Sequence, residues 1–166
     1  MKSLKDLMAS YSAYHRHPHN RLTHFIGVPV IMFALFFIMS YLRIVIGEVE
    51  VTFAMAFVFV VLAYYFLLDF TITTPLALVV AAMLFFAHDL SNRFTLWQGA
   101  ALFFLMFVLG AFFQLLGHKI EGRKPAFLDN VFQIFAAPLF LATEVFFLLG
   151  FRQDLHRQIE EESKKF

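Results

Sequence analysis

Four long stretches without a single Asp, Glu, Lys or Arg constrain this chain more than any other feature. Phe25–Leu42, Val51–Leu68 and Phe70–Ala87 each run for 18 residues, and Phe94–Gly117 runs for 24. Crossing about 30 Å of hydrocarbon takes roughly 20 apolar residues of helix, with about 17 as the lower limit. Each stretch is therefore read as a transmembrane helix. The third is the weakest, because Thr71, Thr73, Thr74 and Pro75 crowd its start. Composition agrees: 61% of the residues are hydrophobic, against about 45–50% apolar in ordinary soluble domains. A core of this size cannot bury 25 phenylalanines, so the outer surface must itself be apolar.

A fifth stretch, Val131–Phe151, is long enough but carries Pro138 and Glu144. An acidic residue at membrane depth costs roughly 2.5–3.5 kcal/mol and normally faces a protein interior or a polar cavity. This stretch either spans or forms a broken or re-entrant helix. The expected fold is thus all-α: a polytopic membrane helical bundle of four to five transmembrane segments. It forms one integral-membrane domain over residues 1–166, with spans near 22–42, 51–68, 70–88, 94–117 and 131–151.

The basic residues orient the bundle. Of 13 Lys and Arg, four precede the first span (Lys2, Lys5, Arg16, Arg21) and three follow the fourth (Lys119, Arg123, Lys124). Four more end the chain (Arg152, Arg157, Lys164, Lys165), leaving Arg43 and Arg93 in the connections between spans. Four crossings put the N-terminus and the 118–130 loop on one side, which the positive-inside rule makes the cytoplasm. A non-crossing fifth segment then gathers eleven of the 13 basic residues on that side, and this arrangement is preferred. Met1–Arg21 is polar and lacks an apolar h-region, so no cleavable signal peptide is expected.

Several chemistries are excluded. The chain has no cysteine, hence no disulfide scaffold, thiolate metal site or cysteine nucleophile. A net charge of +1 gives no global attraction to nucleic acid, so no nucleic-acid partner is expected. No P-loop, G-x-S-x-G elbow, dinucleotide-binding glycine pattern or H-E-x-x-H occurs.

What remains unusual lies in two polar clusters, Tyr11–His24 and His118–Asn130, which hold five of the seven histidines. Span parity brings both clusters to one membrane face. Imidazole is the commonest metal ligand, and a carboxylate completes many borderline sites. His118 and Glu121, spaced i, i+3, share a face if the fourth span continues one more turn. His15, His24 and His118 with Glu121 or Asp129 would supply nitrogens and one carboxylate, a set that suits non-haem Fe(II) and also zinc. Blander roles are available for each. His17 and His19 read as headgroup contacts, and His24 and His118 read equally as hydrogen-bonded packing histidines. Arg16, Arg21, Arg123 and Lys124 read as lipid-phosphate contacts or as cations for a substrate carboxylate. His88, with Asp89, reads as a water-facing helix terminus, and His156 belongs to the charged tail.

The first cluster contains Tyr14-His15, Pro18, Asn20, His24 and Ile26-Gly27-Val28-Pro29. The second contains Gln114, Gly117-His118, Glu121, Lys124-Pro125-Ala126 and Leu128-Asp129-Asn130. Together they resemble the membrane-bound 2-hydroxy fatty acid dioxygenases, a family typified by a fungal endoplasmic-reticulum enzyme of phytosphingosine breakdown. The resemblance extends through Ala137-Pro138 and Glu144, nearly the whole chain. It implies an Fe(II)-dependent α-oxidation, in which a long-chain 2-hydroxy fatty acid and O2 yield the fatty acid shortened by one carbon. His15, His24 and His118 carry over as iron ligands, with Glu121 as the acidic candidate; His17 and His19 carry no transferred role. Arg21, Lys124, Asn20 and Asn130 are the expected substrate-binding residues, and membrane lipid is the setting from which the substrate arrives. The metal site is expected near the cytoplasmic face of a bacterial inner membrane, or of the endoplasmic reticulum in a eukaryote. Two alternatives stay open on the residues alone: a membrane zinc hydrolase acting on lipids, and a non-catalytic lipid-binding protein.

Overall fold

The computed structural model describes residues 3–125 and 128–165; Ala126, a member of the second motif, lies outside them. A short helix α1 (Leu4–Ser12) precedes the long α2 (Pro18–Met39). A hairpin of β1 (Arg43–Ile46) and β2 (Val49–Thr52) leads into α3 (Phe53–Leu68), α4 (Phe70–Ser91) and α5 (Leu96–Glu121). A 3-10 turn (Val131–Phe135) then opens α6 (Ala136–Leu148), and α7 (Gln153–Ser163) ends the chain. The expected helical bundle is present. Four segments are long and apolar enough to cross a membrane: α2, α4, α5 and Val131–Leu148.

The ranking of spans by uncharged length inverts in two places. The second run loses Val51 and Thr52 to the hairpin, where β-branched residues pair from Arg43↔Thr52 to Ile46↔Val49. Thr52 then caps α3 by accepting from the Met55 N–H at 3.2 Å, leaving a helix of 16 residues, just short of a full span. The third run instead forms 22 residues of helix. Asp69 caps it at the Ile72 N–H (2.9 Å), and the hydroxyls of Thr73 and Thr74 donate to helix carbonyls of Tyr65 and Phe70. With those polar groups satisfied, the threonines do not weaken the span.

Glycines set the central contact. Helices α2 and α5 run antiparallel, with Gly27 against Gly110. A Cβ on Gly27 would sit 2.7 Å from the Gly110 carbonyl oxygen, and one on Gly110 would sit 2.6 Å from Ile31 Cγ1. Only small residues allow backbones this close, the usual basis of tight packing between membrane helices. Outward faces carry large apolar side chains, such as Phe59 at 75% exposure and Trp97 at 84%.

Polar ties mark the two ends of the bundle. At one end Arg43 reaches Asn92 (2.5 Å) and Ser91 (3.3 Å), and the Tyr41 hydroxyl donates to the Phe94 carbonyl. At the other end lie α1, α7, the start of α2 and the end of α5. The segment Val131–Leu148 is tied to this second end on both flanks. The Tyr14 hydroxyl donates to Asp129 (2.9 Å), Arg21 meets Glu144 (2.9 Å), and Arg152 meets Asp69 (2.9 Å). Between these ties Pro138 lines three cavities that Met32 also lines.

Candidate metal centre

Three local structures deliver one imidazole each. Pro18 occupies the first turn of α2, where its missing N–H is no loss, and His17 caps the helix by accepting from the His19 N–H. The chain before it must therefore bend, which directs His15 back over the helix toward His24, one turn and a half in. Helix α5 carries His118 to the same end. Gly117 permits the approach: a Cβ there would lie 2.1 Å from Thr23 Oγ1 and 2.3 Å from Asn20 Oδ1.

His15, His24 and His118 are all buried, at 1%, 1% and 5% exposure. One ring nitrogen from each lies within 4.8 Å of the others. Tyr11 stacks flat on His15, with ring centroids 4.1 Å apart and planes 4° from parallel. His15 Nδ1 lies 2.8 Å from the Tyr11 carbonyl, and His24 Nδ1 lies 2.9 Å from the Asn20 carbonyl. Carbonyls only accept, so these contacts place a proton on each Nδ1 and a lone pair on each Nε2. The two Nε2 atoms face each other at 3.1 Å. Two facing lone pairs at that distance repel unless a proton or a metal cation lies between them. A proton is disfavoured: burial, then the neighbouring His24, lowers the His15 imidazole from its ordinary 6.5 to about 2. The donor set therefore fits a cation, with the backbone carbonyls in the orienting role that such partners take around metal-bound histidines.

The other expected site residues make contacts around the trio. Glu121 stands outside the histidine group: its two oxygens accept from the Arg16 N–H (2.7 Å) and from Asn20 Nδ2 (2.6 Å). This carboxylate fastens the 13–20 bend to the end of α5. Arg21 donates to the His15 carbonyl (2.8 Å) and pairs with Glu144. Asn20, fully buried, also donates to the Tyr14 carbonyl. Asn130 caps the 3-10 turn at the Phe132 N–H. Lys124 pairs with Asp129 at 2.5 Å, and Lys124 followed by Tyr14 holds the Asp129 carboxyl below its ordinary range. His17 and His19 stay outside the trio, His88 sits at the opposite end near Glu50 (3.9 Å), and His156 stacks on Phe147.

Reading by residue type missed Tyr11, Gln133 and the Arg21–Glu144 tie. Tyr11 was legible only as the first residue of the polar cluster, and Gln133 only as an amide inside an apolar run. Both line a cavity of about 90 Å³ beside the histidines, together with Gln114. Met32 and Pro138 also line two further cavities of about 170 and 230 Å³, whose walls are almost wholly apolar. The pocket that holds the convergent imidazoles thus shares walls with two apolar cavities.

Residues 1–149 match the family described as 2-hydroxy-palmitic acid dioxygenase Mpo1-like. The chain belongs to this Mpo1-like family. It is 27% identical over 161 residues to the 2-hydroxy-palmitic acid dioxygenase MPO1 of Saccharomyces cerevisiae, covering 96% of this chain and 88% of the yeast protein. No solved structure matches this chain. The Mpo1-like match spans all three histidines and the segment that closes the cavity over them.

Proposed function

We propose that this protein is an Fe(II)-dependent dioxygenase that carries out α-oxidation of long-chain 2-hydroxy fatty acids, giving the fatty acid shortened by one carbon. The observation that carries this reading is the convergence of three buried imidazoles in a chain of the Mpo1-like family. Ferrous iron held by His15, His24 and His118 would supply activation of O2 for cleavage of the C1–C2 bond.

The chain's own residues do the rest. The Tyr11 and Asn20 carbonyls keep the His15 and His24 rings in the tautomer that turns Nε2 inward. Glu121, expected as the acidic ligand, is assigned to holding the bend that carries His15. Arg21, expected at the substrate, is assigned to fixing the His15 backbone through Glu144. Asn20 and Asn130 take positioning roles for the same reason. Lys124, its side chain 62% exposed, exchanges Asp129 for a substrate carboxylate. The apolar cavities lined by Met32 and Pro138 accept the acyl chain and exclude water from the head group.

The ties on both flanks of Val131–Leu148 support a re-entrant segment that does not cross. Among the described residues every Lys and Arg except Arg43 and Arg93 then lies at the histidine end, which supports a cytoplasmic site. Protein purified without oxygen or chelator should contain iron and should shorten 2-hydroxypalmitate only when O2 is admitted. A preparation with stoichiometric zinc that acts on lipid without O2 would replace this reading by the hydrolase one.

A further inference from the structure

Gln133 is a buried side chain beside the histidines that the ligand chemistry leaves unused. It sits in the 3-10 turn before α6, is 5% exposed, and lines the histidine cavity. Its Nε2 donates to Ser10 Oγ at 2.9 Å, in a contact itself buried. Its Oε1 is buried and has no partner. Leaving a buried amide oxygen unpaired is unfavourable, so such an atom beside a ligand cavity is suited to a donor. The serine contact matters because it commits the nitrogen end of the amide and leaves the acceptor for something else.

A 2-hydroxy acid offers one such donor. At neutral pH its carboxylate only accepts, while its 2-hydroxyl carries a proton. Resting on the dioxygenase reading above, we propose that Gln133 is a specificity-determining residue whose carboxamide oxygen accepts a hydrogen bond from the 2-hydroxyl of the substrate. Ser10 acts through it by fixing the amide. The site thereby distinguishes 2-hydroxy acids from the unsubstituted fatty acids that abound in the same membrane, since a plain acid leaves the acceptor unpaired. Gln133 also lines a second groove, with Tyr64 and Phe135, so it stands in the wall between the two.

The test is a substrate-by-residue cycle on the metal-loaded protein in nanodiscs without oxygen, so that nothing turns over. Displacement of a fluorescent fatty acid gives affinities for 2-hydroxypalmitate, 2-methoxypalmitate and palmitate. The methoxy acid keeps the oxygen but lacks the proton. Taking the hydroxy-to-methoxy ratio in wild type against variant cancels what the metal contributes to both. Gln133→Met should lower that ratio by about tenfold, with palmitate affinity within about twofold of wild type. Ser10→Ala should lower it by about threefold, by releasing the amide. An unchanged ratio in Gln133→Met that keeps its metal and binds palmitate would overturn the proposal. Should Gln133→Met fail to fold, an unchanged ratio in Ser10→Ala overturns it instead. Turnover by wild type with O2 is scored separately: its absence beside a Gln133-dependent ratio would overturn the dioxygenase reading and not this one.

Discussion

At the scale of single residues, the histidines divide by what holds them. His24 and His118 project from helices and are buried, so His24→Ala or His118→Ala should remove most of the bound metal, measured by metal analysis. His15 stands on a bend, stacked on Tyr11, and His15→Ala should abolish release of the shortened acid. His17→Ala and His19→Ala should keep most activity, because those rings serve the helix start or face outward. Loss of metal in either would enlarge the site beyond three imidazoles. The neutral burial of His15 also sets a pH dependence. Its folded value, about 2, lies below the ordinary 6.5, so the unfolded chain binds a proton that the folded chain refuses. Metal-free stability is therefore full above pH 6.5 and falls as pH drops toward 2, by up to about 1.4 kcal/mol per pH unit. Thermal unfolding in detergent between pH 7 and 5 should show this slope, and His15→Ala should reduce it.

At the scale of elements, the α2–α5 seam carries the site. Asn20 and Thr23 on α2 close over Gly117 on α5, and Glu121 one turn later grips the bend before α2. Gly117→Val should push α2 away at its N-terminal turn, destabilising by roughly 1–3 kcal/mol as overpacking does. The sharper readout is metal. Metal occupancy should fall with Gly117→Val even where the bundle still folds, because His24 and His118 ride on the two helices being parted. Full metal retention would show that the seam tolerates the extra volume and that the site does not depend on it.

At the scale of the whole molecule, the fifth apolar segment decides the topology. Its flanks bond to Tyr14, Arg21 and Asp69, all at the histidine end. Single cysteines placed at Ser3, Leu128 and Lys165 in this cysteine-free chain should be labelled from the same side by an impermeant thiol reagent. A cysteine at Glu48, on the hairpin tip, should be labelled from the other side. Opposite labelling of Leu128 and Lys165 would mean that Val131–Leu148 crosses, and opposite labelling of Ser3 and Leu128 would separate the two halves of the site.

What the sequence determined by itself was the helical membrane class, the two polar clusters and the three histidines. Uncharged runs of span length have only one economical structure in lipid, and parity of spans brings distant clusters to one face whatever the packing details. The hairpin at 43–52 and the shortening of α3 were not legible, because an apolar β-branched run reads alike as strand or helix until pairing is known. Nor were the roles of Glu121 and Arg21. A carboxylate or guanidinium near a metal site has the same residue type whether it binds metal, substrate or backbone, and only the packed fold shows Glu121 bonded to Arg16 and Asn20 and Arg21 bonded to His15 and Glu144. Gln133 emerges last for the same reason: an amide in an apolar run gains meaning only when the fold buries one end against Ser10 and leaves the other without a partner.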